Sequence, residues 1–139
     1  MAPNRAQPAS SAPLKDRRIL VVEDDWFIAD TVTRLLTKEG ASVFGPATTV
    51  AEGAQLAAYW PIDIALMDLN LRGEWADDLV VELARKDITV VVVTGYDIKK
   101  PVADSAFATL KKPVASAQLL NTLRQAASAK ARAADIGNR

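Results

Sequence analysis

Short apolar runs alternate along this chain with stretches whose apolar residues recur at helical spacing. Ile19 to Val22, Ser42 to Phe44, Ile64 to Met67, Ile88 to Val93 and Ala108 to Leu110 are brief and rich in branched residues, and they predict five strands. Between them, Ile28, Val32, Leu35 and Leu36 share one helical face that Gly40 closes. Thr49-Val50-Ala51-Glu52 has the spacing of a capping box that opens a second helix. Ala76, Leu79, Val80, Leu83 and Ala84 predict a third, and Leu119, Leu120 and Leu123 a last one starting near Ser116. Strands separated by crossover helices predict an α/β domain with a doubly wound parallel sheet, and the unbroken apolar run Val90 to Val93 fits a strand buried on both faces. One link departs from the pattern. Gly95 to Asp104 is short, polar and broken by Pro101, so the fourth helix is expected to be short or distorted.

The ends read differently. Residues 1–15 (MAPNRAQPASSAPLK) lack apolar periodicity and are predicted to be a disordered tail. Residues 16–129 then form the domain, and 130–139 a C-terminal tail in which the last helix frays, with Gly137 as terminator. A chain of 139 residues, half of them hydrophobic, suits one domain. Lys and Arg number 17, as do Asp and Glu, so bulk charge argues against a nucleic-acid or membrane partner. The absence of Cys excludes disulfides and thiol chemistry, and the absence of His excludes most hydrolase triads. With no secretory signal or spanning segment, the cytoplasm is the expected location.

In parallel α/β sheets, ligands bind outside the carboxyl ends of the strands, and Glu23-Asp24, Asp68, Thr94 and Lys112 all fall there. A carboxylate can attack a phosphoryl group if positive charge offsets the repulsion between the two anions. Asp24 and Asp68 are expected to hold Mg2+, with Glu23 acting directly or through water and the backbone carbonyl of Asn70 as a further ligand. Lys112 would bring an ammonium to a phosphoryl oxygen, and Thr94 would hydrogen-bond another. Each residue has a plainer role open to it: the acidic pair as a helix start, Asp68 as a turn former, Thr94-Gly95 as a strand exit, Lys111-Lys112 as a solvated corner. Asp25 is the expected helix cap. The joint occurrence of these groups, in order, at four strand ends favours the chemical reading.

With these residues in place, the chain resembles the receiver domain of two-component response regulators from about Arg17 to Ala129. The resemblance rests on Ile19-Leu20-Val21-Val22-Glu23-Asp24, Leu66-Met67-Asp68-Leu69-Asn70-Leu71-Arg72-Gly73, Val93-Thr94-Gly95 and Lys111-Lys112-Pro113. It implies a CheY-like, flavodoxin-like fold with strand order 2-1-3-4-5, and phosphorylation of Asp68 by a histidine kinase or phosphotransferase protein. It further implies Mg2+ at Glu23, Asp24, Asp68 and the Asn70 carbonyl, a switch hydroxyl at Thr94, and a site lysine at Lys112, with Lys111 the alternative if the register slips. The bond before Pro113 is often cis in such relatives. Such a protein is a phosphoacceptor switch that assists its own phosphorylation and dephosphorylation, not a turnover enzyme.

Departures refine this picture. Thr109 stands three before Lys112, where most receivers carry an aromatic switch residue, so Tyr96 is a candidate substitute. Thr94-Gly95-Tyr96 resembles the variant alphaproteobacterial FATGUY receivers, although Val92-Val93 replace the Phe-Ala of that motif. Relatives of that kind are typically partnered with kinases of the HWE or a related type and often serve general stress signalling. Few residues follow the last helix, so a stand-alone receiver that regulates a downstream protein is expected. Apolar residues around Tyr96, Val102 and Val114 are the expected docking face, and Trp75 is expected near the site.

Three other readings compete. A pseudo-receiver that ignores phosphate would not need the clustered carboxylates, which repel unless a cation is recruited. A phosphatase of the haloacid-dehalogenase type needs a second Asp two residues after the nucleophile, where Asn70 cannot transfer a proton. A nucleotide carrier needs a Gly-rich loop after the first strand, which is missing.

Overall fold

Side chains alternate across the central strands, and both faces are covered. Ile19, Val21, Ile64, Leu66 and Val91 pack on one side, Leu20, Val22, Ala65, Met67, Val90 and Val92 on the other. The computed structural model describes residues 12–137. Its elements are β1 (Arg18–Val22), α1 (Trp26–Lys38), β2 (Ser42–Ala47), α2 (Val50–Tyr59), β3 (Ile64–Met67), β4 (Asn70–Leu71), β5 (Glu74–Trp75), α3 (Asp77–Arg85), β6 (Thr89–Thr94), α4 (Lys100–Ser105), β7 (Ala108–Lys111) and α5 (Ser116–Gly137). Five strands form a parallel sheet in the order β2-β1-β3-β6-β7, which is 2-1-3-4-5 when only its own strands are counted. Helices α1 and α5 cover one face, and α2, α3 and α4 the other.

The fourth crossover is short, as expected, but Pro101 does not break it. Pro101 lies in the first turn of the six-residue α4, where a missing N–H leaves no hydrogen bond unmade. Val102, expected on a docking face, is fully buried against the α3 side of the sheet. Asp25 caps α1 by accepting the Ile28 N–H at 3.1 Å, and Gly40 closes it at φ 88°. The capping box is half formed. Thr49 accepts the Glu52 N–H, but the Glu52 carboxylate turns back one residue further, to the N–H and hydroxyl of Thr48.

Two boundaries move. Residues 1–11 of the expected tail lie outside the described residues, but 12–15 are ordered: Leu14 is 1% exposed and shares a cluster with Leu36, Leu123 and Ala127. The Arg17 N–H donates to the Leu14 carbonyl, and the Asp16 N–H to Gly40. At the other end α5 continues past 129 to Gly137, since Ala and Lys favour the helix and the Lys130 ammonium donates to the Asp87 carbonyl at 2.6 Å. The β4–β5 hairpin was not predicted at all. Its two-residue turn, Arg72 and Gly73, has positive φ at both positions (54° and 92°), which matches the twist of the flanking strands.

Candidate functional site

Because β1 and β3 are neighbours with Val22 opposite Met67, the residues that follow them emerge side by side. The Asp68 N–H extends the ladder to the Val22 carbonyl at 3.0 Å, and the Glu23 N–H does so to Ala47 at 2.9 Å. Carboxylate oxygens of Glu23, Asp24 and Asp68 consequently lie within 4.8 Å of one another. Strand β7 delivers the counter-charge. Thr94 pairs with Lys111, the Lys112 N–H donates to the Thr94 carbonyl, and the Lys112 ammonium reaches Asp68 Oδ2 at 2.8 Å and Glu23 Oε1 at 3.2 Å. Lys111 points elsewhere, to Asp97 at 3.7 Å, so of the two lysines it is Lys112 that joins the carboxylate cluster. The Lys112-Pro113 bond is cis, as is Gly45-Pro46.

Burial sets the electrostatics. It pushes the Glu23 carboxyl up, with the Asp68 charge adding to it, against the opposing pull of the Asp25 N–H and the Lys112 ammonium. Burial alone would lower Lys112, but its hydrogen bond to Asp68 and the charges of Glu23 and Asp68 outweigh that and raise it. Three carboxylates face the half-buried Lys112 ammonium and the exposed Arg72 guanidinium, which leaves a surplus of negative charge that a further cation would relieve. The donors are all oxygens, the set that hard divalent ions prefer, so the residues present fit magnesium.

The loop after Asp68 is tied to its surroundings at several points. Asp68 Oδ1 accepts the Asn70 N–H at 3.2 Å, and Asn70 Oδ1 accepts the Gly73 N–H at 2.9 Å. Arg72, at the hairpin tip, places Nε 3.4 Å from Asp24 Oδ2. Glu74 accepts the Val50 N–H at the start of α2. Thr94 is 1% exposed, and its hydroxyl oxygen accepts the Tyr96 N–H at 3.2 Å. The Tyr96 ring meets Trp75 edge to face, with centroids 5.1 Å apart. Thr109 is exposed. Sequence reasoning missed Arg72 and the Trp75–Tyr96 contact; the one available signal was Arg72-Gly73, two residues able to make a tight turn soon after Asp68.

A groove of about 490 Å³ runs from Glu23, Asp68 and Lys112 down between α1 and α5. Ile28, Val32 and Leu35 line it, so the apolar stripe of α1 is only partly covered and Leu36 alone of the four predicted positions is fully buried.

The profile of the response regulator receiver domain matches residues 19–124. The transcriptional regulatory protein PdtaR of Mycobacterium tuberculosis is 30% identical over 117 residues, which cover 81% of this chain and 57% of that protein. The sensory transduction protein RegX3 of Mycolicibacterium smegmatis is 37% identical over 83 residues, 57% of this chain and 35% of RegX3. The chain thus spans about half the length of PdtaR. A CheY-like receiver domain from Methanospirillum hungatei superimposes with a TM-score of 0.78 at 26% identity, covering 85% of this chain and 98% of that one. A response regulator from Burkholderia pseudomallei, whose crystal structure has a phosphorylated aspartic acid, calcium ion and citrate, gives 0.71 at 27% identity over 89% of this chain and 76% of that one.

Proposed function

Since the chain belongs to the response regulator receiver family, matched over residues 19–124, we propose that Asp68 accepts a phosphoryl group from a histidine on a kinase or phosphotransferase protein. It is a receiver domain of two-component signalling, and such domains act as phosphoacceptor switches. The observation that carries the proposal is the Lys112 ammonium 2.8 Å from Asp68 Oδ2, inside a cluster where the oxygens of Glu23 and Asp24 converge.

In the reaction, an Asp68 oxygen bonds to phosphorus as the phosphorus–nitrogen bond of the donor phosphohistidine breaks, and the imidazole leaves with the electron pair. Lys112 offsets the repulsion between carboxylate and phosphoryl group and then holds a phosphoryl oxygen. Magnesium held by Asp24, Asp68 and the Asn70 carbonyl, with Glu23 directly or through water, would supply the remaining positive charge. The Thr94 hydroxyl donates to a second phosphoryl oxygen, coupling the phosphorylated state to the backbone at the end of β6. Water reverses the modification by attacking phosphorus and releasing inorganic phosphate.

The phosphorylated aspartic acid and calcium ion of the Burkholderia regulator are a precedent for this chemistry. The donor is proposed to be a histidine kinase, of the HWE type if the Thr94-Gly95-Tyr96 resemblance extends to partners, with a downstream protein as the target. The proposed setting is the cytoplasm; among the described residues no helix is long and apolar enough to cross a membrane. Acetyl phosphate with magnesium should add one phosphoryl group to the protein and none to Asp68→Asn. A wild-type protein of unchanged mass under conditions that modify a control receiver would refute the assignment.

A further inference from the structure

Tyr96 connects two parts of the site that the chain keeps far apart. Its N–H donates to the Thr94 hydroxyl at 3.2 Å, and its ring lies 5.1 Å from that of Trp75 with 77° between the planes. Trp75 in turn pairs across the hairpin with Asn70, whose N–H donates to Asp68 Oδ1. A continuous path of contacts therefore runs from Asp68 through Asn70, Trp75 and Tyr96 to Thr94. Each ring is 52% exposed, so core packing does not lock either in place.

We propose that Trp75 and Tyr96 form a ring-on-ring latch whose geometry depends on the state of Asp68. The proposal rests on Asp68 being the phosphoacceptor. A Thr94 hydroxyl drawn toward a phosphoryl oxygen takes its acceptor oxygen away from the Tyr96 N–H, and the Tyr96 backbone must follow it or find another partner. The hairpin is held separately by Glu74, which accepts the Val50 N–H at the start of α2, so it does not travel with Tyr96. The two rings are displaced relative to each other, and an edge-to-face pair depends on that relative placement.

The test uses the Trp26→Phe/Trp60→Phe protein, in which Trp75 is the remaining tryptophan of three. Acetyl phosphate with magnesium should shift Trp75 emission as Asp68 gains mass. Tyr96→Ala in that background should lose the emission shift and keep the mass gain, and Tyr96→Phe, which retains a ring, should keep both. If the double variant is unstable, the difference between wild type and Trp75→Phe gives the same reading. Mass gain with unchanged Trp75 emission overturns the latch and leaves the phosphoacceptor intact, as does an undiminished shift in Tyr96→Ala. No mass gain overturns both.

Discussion

The ammonium of Lys112 lies 2.8 Å from Oδ2 of Asp68, although 44 residues separate the two in sequence. The same ammonium is 3.2 Å from Glu23. One cation thus faces two buried carboxylates, and taking it away leaves both without a counter-charge. Lys112→Met is expected to cost about 1–3 kcal/mol, below the figure for a fully buried pair because the lysine side chain retains 27% exposure. Urea denaturation measures the loss, and added magnesium should recover part of it. Phosphoryl uptake should slow by about tenfold or more, since a charged hydrogen bond contributes about 1.5–3 kcal/mol.

Asp24 makes a second prediction specific to the cation. Magnesium at a hundred times its dissociation constant should stabilise the wild-type fold by about 2.7 kcal/mol, seen as a rise in melting temperature. Asp24→Asn should lose most of that rise while its magnesium-free melting temperature changes little. Arg72 lies 3.4 Å from Asp24 and would compete with the ion, so Arg72→Ala should lower the magnesium needed. The gain should not exceed about fivefold, because a pair whose arginine is largely in solvent is worth roughly 1 kcal/mol at most.

The pH dependence of stability should show Asp63. Burial alone would raise its carboxyl, but hydrogen bonds from the Arg18 guanidinium and N–H, with the Arg18 charge, hold it below the usual range. A carboxyl depressed in the folded state binds its proton more readily when unfolded. Its stabilisation is therefore complete above the unfolded value of about 3.9 and disappears as pH falls through the lower folded value. Wild type and Asp63→Asn should differ in urea midpoint at neutral pH and converge in strong acid. A constant gap across that range would show that the ion pair is not responsible.

Leu14→Ala should destabilise the domain by about 2–4 kcal/mol, as the loss of a fully buried leucine does. Chemical denaturation would detect this readily. A negligible effect would mean that residues 12–15 are not part of the folded unit.

Much of this architecture was legible because it follows from local periodicity. The strands and the helix-covered parallel sheet came from apolar runs and crossover spacing, whereas the strand order that makes β1 and β3 neighbours and brings Glu23, Asp24 and Asp68 together came from the receiver resemblance. Lys112 was preferred to Lys111 for its place before Pro113, and the structure turns Lys112 to Glu23 and Asp68 and Lys111 to Asp97. Leu14 was missed because a single apolar residue in a Pro and Ala rich stretch has no period to reveal it. The hairpin was missed because two-residue strands lie below the length at which alternation can be recognised. The Trp75–Tyr96 contact joins loops that approach only once the whole sheet is assembled.

The seating of Leu14 has a practical consequence. Its segment bonds to Gly40 and leads into the first residue of β1, at the amino edge of the sheet, whereas Asp68 stands at the carboxyl edge. A fluorophore, affinity handle or fused protein joined directly to Ala12 therefore begins at the opposite end of the strands from Asp68. Labels placed there should follow the domain and leave the proposed phosphoryl acceptor open to its donor.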